Sequence, residues 1–249
     1  MSRRDDVSNC YKKSNVAGNI INVLFYINII LSLLLLFFGN LSGFVLPILI
    51  LCSLFNPLLS LLDDCWFWYD AEAKRRASCI ENAFEVDITN LDTEEYYNNR
   101  QQPSIKKYEL NTFENIFFSK AISGKMLLPG GIKSFIIFAL FILVSIKMKD
   151  ENVILLISQT AFSANYICGF ISLLIYNIRL NKLYDMFYNS LVSIGVNDSK
   201  SHIILLNLII EYEAIKAHYK IRLSSKAFNK LNVSLSDEWK EIENKCKFN

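Results

Sequence analysis

The residues best suited to chemistry lie in one stretch. Tyr96, Tyr97, Arg100, Lys106 and Lys107 interleave aromatic faces with cationic groups. Aromatic faces stack on nucleobases and cations meet phosphates, so this pattern can serve a nucleotide ligand; on these residues alone a polybasic surface on anionic lipid is the plainer reading. Lys74-Arg75-Arg76 adds charge upstream. A second set is polar but not ionisable. Ser158, Asn165, Gly169, Ser172 and Tyr176 recur at spacings of seven, four, three and four. On a helix turning ~100° per residue they fall within about 60° of one another. Ser53, Asn56 and Ser60 form a shorter stripe of the same kind. Such stripes either hydrogen-bond between helices or line a watery path in an oligomer.

The search for catalysis is negative. Phosphate-binding loops, nucleophile elbows and zinc-protease motifs are missing, and two histidines sixteen residues apart make neither a triad nor a zinc spacing. Asp63/Asp64 and Glu94/Glu95 are adjacent pairs, which diverge on a helix and make no preformed dyad. Six cysteines without a C-x-x-C pair suit reduced thiols. The expectation is a non-enzyme without metal or cofactor.

The elements that must position these residues are membrane helices. The chain has 249 residues, of which 52% are hydrophobic and 20% charged. The apolar residues fall in blocks, which excludes an ordinary soluble globule. Residues 20–38 and 44–62 are nineteen-residue runs without a charge. Nineteen residues rise ~28 Å, close to the ~30 Å of a bilayer's hydrocarbon core. A third run, 134–146, reaches across if residues 127–134 join it and Lys133 snorkels to the headgroups. A fourth covers 153–176. The fold class expected is all-α, an integral membrane protein with four transmembrane helices in two hairpins plus cytoplasmic helices. Its parts are an N-terminal segment (1–19), hairpin 1 (20–62), a helical connector (63–131), hairpin 2 (132–176) and a helical tail (177–249).

Further readings follow from local patterns. Residues 63–84 lack Gly and Pro, so the second span should continue as helix to about Glu85, although Asn56-Pro57 should kink it. A helix over 108–126, with Phe113, Ile116, Phe117, Ala121 and Ile122 as its stripe, should lie at or near the membrane. Pro129-Gly130-Gly131 should break the chain. Leu205, Leu208, Tyr212, Ile215 and Tyr219 make a heptad-like seam, for a neighbouring tail helix or a second subunit. Ser234 with Asp237 should cap a short last helix. Trp66, Trp68 and Tyr69 suit an inner interfacial belt.

The helix after the second span contains Ala77, Ile80, Glu81, Phe84 and Glu85. With the two-hairpin layout, this resembles the A-x-x-I-Q-E-x-F-D pattern of the four-helix transmembrane (S-4TM) effectors of bacterial cyclic-oligonucleotide signalling. Glu81, Asn82 and Glu85 depart from that pattern. The segments 95–99 and 114–118 look like that class as well. The resemblance implies an antiviral effector of the bacterial inner membrane that forms pores or disrupts the bilayer when a cyclic oligonucleotide arrives. It would act as a homo-oligomer in the lipid bilayer, with no nucleic-acid polymer as partner. The alternative is a non-catalytic anchor recruiting a cytoplasmic partner.

Lys and Arg set the orientation. The N-terminal segment has four, the connector eight and the tail eleven, against none and two at the hairpin tips. Both termini and the connector should therefore be cytoplasmic. An impermeant thiol reagent outside spheroplasts should leave Cys246 unlabelled and should label Lys149→Cys at the second tip; labelling of Cys246 would reverse the orientation.

Overall fold

A computed structural model of the chain describes residues 4–38, 42–89, 91, 93–94, 97, 101–147, 153–194 and 199–245. Among these residues the architecture is all-α apart from one antiparallel pair, β1 (Arg4–Asp5) on β2 (Thr93–Glu94). The helices are α1 (Asp6–Cys10), α2 (Lys12–Phe37), α3 (Ser42–Leu62), α4 (Trp68–Phe84), α5 (Ile105–Lys147), α6 (Val153–Ile194), α7 (Ser199–Tyr219) and α8 (Ser225–Lys245). Three described helical stretches are long and apolar enough to cross a membrane: Lys12–Leu35, Gly43–Phe84 and Ile105–Leu143. The fourth expected run lies on α6, whose side chains are described from Ala164 onward.

The chain forms two compact units. One comprises Tyr11–Asp70 and Leu128–Ile171 and holds most of the apolar runs. The other comprises Met1–Cys10, Ala71–Leu127 and Ser172–Asn249.

Helix continuity is as expected after the second run. A π-helical turn, Asp63–Phe67, joins α3 to α4, and α4 ends at Phe84. Glu85 then takes a left-handed conformation (φ 53°) while its N–H bonds back to the Glu81 carbonyl at 2.8 Å. That is the usual stop of a helix, made here without glycine. Pro47 and Pro57 both lie inside α3. Prolines are tolerated in spanning helices because neighbouring groups satisfy the freed carbonyls.

Two expected boundaries are corrected. Pro129-Gly130-Gly131 does not break the chain, since α5 runs unbroken through it. Gly131 instead permits close packing: a Cβ there would stand 3.3 Å from the Phe170 ring. Ser234 does not start a helix either. It lies within α8 and its hydroxyl bonds back to the Leu231 carbonyl at 2.9 Å. The cap is Ser224, whose Oγ accepts the Ala227 N–H at 3.2 Å. Phe228, Leu231, Leu235, Trp239 and Ile242 keep helical spacing across the expected boundary, and one continuous helix lets all of them face the same way.

The second unit has the larger core. Leu205, Leu208, Tyr212 and Ile215 of α7 pack there with Phe113, Ile116 and Phe117 of α5, Leu180, Leu183 and Phe187 of α6, and Leu235 and Trp239 of α8. The heptad-like seam is thus buried within the chain. Phe113, Ile116, Phe117 and Ala121 of the 113–122 stripe face this helical core, where α6 and α8 supply aromatic partners. Phe113 stacks on Phe187 with centroids 5.1 Å apart and meets Trp239 edge-on at 5.3 Å. Trp239 is fully buried. Trp239→Ala should therefore cost about 3–5 kcal/mol, read as a lower thermal midpoint of the full chain in detergent; an unchanged midpoint would show that α8 does not contribute to the core.

Candidate functional site

The turn from α4 to α5 is built from the segment 77–85. Glu81 Oε1 accepts the backbone N–H groups of Ile88 (3.0 Å) and Thr89 (2.8 Å), and Thr89 Oγ1 donates to its other oxygen. One carboxylate thus clamps the start of the connection. Hydrogen bonds from three donors hold Glu81 below the usual glutamate range, against the opposing effect of burial, which is the largest single influence. Asn111 Nδ2 donates to Asn82 Oδ1 at 2.9 Å, and Ser104 N–H to the Ala83 carbonyl at 3.0 Å. Ser104 also caps α5, its Oγ accepting the Lys107 N–H at 3.3 Å.

Three of the five candidate ligand residues are described here. Tyr97 is half-buried; its hydroxyl accepts from Asn115 Nδ2 at 3.2 Å and lies within hydrogen-bonding reach of the Cys79 thiol. Lys106 and Lys107 are half-buried in the first turn of α5, and Lys107 Nζ lies 3.9 Å from Glu85 Oε1. Tyr96 and Arg100 lie outside the described residues. Two cations at a helix N-terminus, where the helix dipole is itself positive, make a place suited to an anion.

The same unit buries a cluster of four charges that local patterns miss. Arg75 Nε donates to Glu72 Oε2 at 2.8 Å and its Nη2 to Glu213 Oε2 at 2.5 Å; Lys216 Nζ donates to Glu72 Oε1 at 2.9 Å. Side-chain exposures are 10% for Arg75, 5% for Glu72 and 9% for Lys216, against 23% for Glu213. Arg75 therefore does not add to a solvated basic surface with Lys74 and Arg76. Both cations lie 5.9 Å from the centroid of the Tyr212 ring, whose hydroxyl is 3.3 Å from Ser119 Oγ. Burial, then the Arg75 guanidinium, pull Lys216 below the usual lysine range, opposed by the two carboxylates. Burial pushes the Tyr212 phenol well above its usual value. One signal was available in the sequence: Lys216 sits inside the apolar seam, where a lysine needs a buried partner.

The polar stripes divide. Ser53 and Asn56 are fully buried. Ser53 Oγ donates to Asn28 Oδ1 at 2.9 Å, and Ser32 Oγ to the Asn28 carbonyl at 2.6 Å. Asn56 Nδ2 donates to the Tyr166 hydroxyl at 3.3 Å and Asn165 Nδ2 to Asn56 Oδ1 at 3.4 Å. The Tyr166 hydroxyl in turn reaches the Ile21 carbonyl at 3.5 Å. Tyr166 joins three helices and was not among the expected residues, because an aromatic in an apolar run reads as core. Ser60 and Ser172 are half-buried, and Gly169 is exposed with nothing within 4 Å of an added Cβ. Tyr176 is fully buried in the large core. Ser158 falls on α6 outside the described side chains.

Comparisons with protein-family models, curated proteins and solved structures find no match. Function must therefore be argued from the geometry. Removing one member of a buried ion cluster leaves its partners charged and unpaired, at about 3–5 kcal/mol. Arg75→Ala should lower the thermal midpoint accordingly, and Glu213→Ala, at the exposed edge, should lower it much less. Equal losses would show that the cluster is not graded by burial.

Proposed function

We propose that the chain is a membrane effector with four spans in two hairpins, gated from the cytoplasm by a phosphate-bearing ligand at the α4–α5 turn. The single observation that carries this reading is the construction of α4. One helix continues the second apolar run, contributes Glu72 and Arg75 to the buried ion cluster, and ends in the Glu81 clamp beside Lys106 and Lys107. An anion at those lysines competes with Glu85 for Lys107, a weak contact at 3.9 Å. Charge-assisted bonds to phosphate supply the affinity difference between two states that any ligand-driven change requires. The resemblance of 77–85 to the S-4TM class adds the ligand's identity, a cyclic oligonucleotide, and the setting, antiviral defence at the bacterial inner membrane by a homo-oligomer that opens or disrupts the bilayer.

A second reading is a membrane anchor that recruits a cytoplasmic partner. It is favoured by the bonding of Asn28, Ser53, Asn56 and Tyr166 to one another within one chain, which leaves these groups no need of a water-filled path.

Dye release from liposomes carrying the purified chain separates the two. Under the effector reading a cyclic oligonucleotide triggers release, and Lys106→Ala/Lys107→Ala abolishes it with insertion unchanged. Release that survives the double substitution removes these lysines as the sensor. If no cyclic oligonucleotide triggers release from the unmodified protein, the anchor reading replaces the effector.

A further inference from the structure

Lys133 stands at the inner end of the third apolar run, immediately before the charge-free residues 134–146. Its ammonium donates to Asn22 Oδ1 at 3.2 Å. The rings of Phe25 and Tyr26 lie 5.3 and 6.0 Å from it. Asn22 in turn lies at the start of the first apolar run, so this bond sets the inner ends of the two runs level with each other. Among the described residues no carboxylate pairs with Lys133. An ammonium has three donors, and one amide oxygen with two ring faces leaves its charge uncompensated.

The surface beside it is open. Asn22 is exposed, and Tyr26 is 55% exposed. Below it on α2, Val23, Ile30, Leu33 and Phe37 are exposed too and share one face with Tyr26 at alternating spacings of three and four. A cation therefore caps an apolar strip that runs from Val23 to Phe37, the C-terminal end of α2.

We propose that Lys133, Asn22 and Tyr26 form a headgroup site for an anionic phospholipid of the inner leaflet. The phosphate takes the free ammonium donors, and an acyl chain lies along the Val23–Phe37 strip. Charge selects this occupant: a second copy of the strip would bury Lys133 without an anion, whereas a phospholipid brings phosphate and hydrocarbon in the required order. The site rests on the membrane-spanning reading and is independent of gating at Lys106 and Lys107.

Native mass spectrometry of the full chain in neutral detergent, titrated with phosphatidylglycerol, tests it. Lys133→Met keeps length and apolarity and should weaken phosphatidylglycerol binding about fivefold, the share of one lysine near a membrane surface. Lys133→Arg should retain it. Should Lys133→Met fail to fold, Asn22→Leu serves, with a smaller weakening expected. Undiminished binding by the folded variant overturns the site. Displacement of the lipid by equimolar inorganic phosphate overturns the lipid as the source of the anion. A chain absent from the membrane fraction overturns the spanning reading itself, whereas an inserted variant with unchanged binding overturns only this site.

Discussion

Four charges buried between α4 and α7 constrain the second unit more than any other contact. Glu72 accepts from both Arg75 and Lys216, and Glu213 holds the other end of Arg75. Carrying these groups out of water is costly, and they remain there because each finds an opposite charge at hydrogen-bonding distance. Such a cluster tolerates little sliding: a shift of α4 by one residue would turn Glu72 and Arg75 together by about 100° and strand Lys216 and Glu213 on α7. The cluster therefore fixes the register of α4 against α7, and with it the position of the Glu81 clamp about two turns further along.

The aromatic core accepts this register without specifying it. Phe113, Phe187, Trp239 and Tyr212 supply area and shape, but apolar contacts are non-directional and would allow neighbouring alignments. The charges select one of them. In the apolar unit the same division holds between surface and interior. Leu, Ile and Phe side chains face outward along α2, α3 and the later part of α5, while Asn28 meets Ser53 and Asn56 meets Tyr166. With no water in a bilayer's core, a polar side chain gains most by meeting another polar side chain, so a few hydrogen bonds decide which helices touch.

The amino-acid sequence by itself determined the class. Blocks of apolar residues long enough for a bilayer, a heptad-like seam on α7 and the absence of Gly and Pro from 63–84 were each legible, and helices follow from them locally. Tertiary structure alone decided what those helices meet. Where α5 passes through Pro129, Gly131 packs against Phe170 of another helix, a neighbour that local sequence does not name. The seam on α7 could serve a second subunit or its own chain until α5, α6 and α8 fill it. The ion cluster joins residues separated by 138 positions, and Tyr166 reaches Asn56 across 110. Periodicity carries information over a few turns of helix; an ion pair or a hydrogen bond depends on distances of about 3 Å between side chains far apart in the chain. Only the packed arrangement of helices brings such groups together.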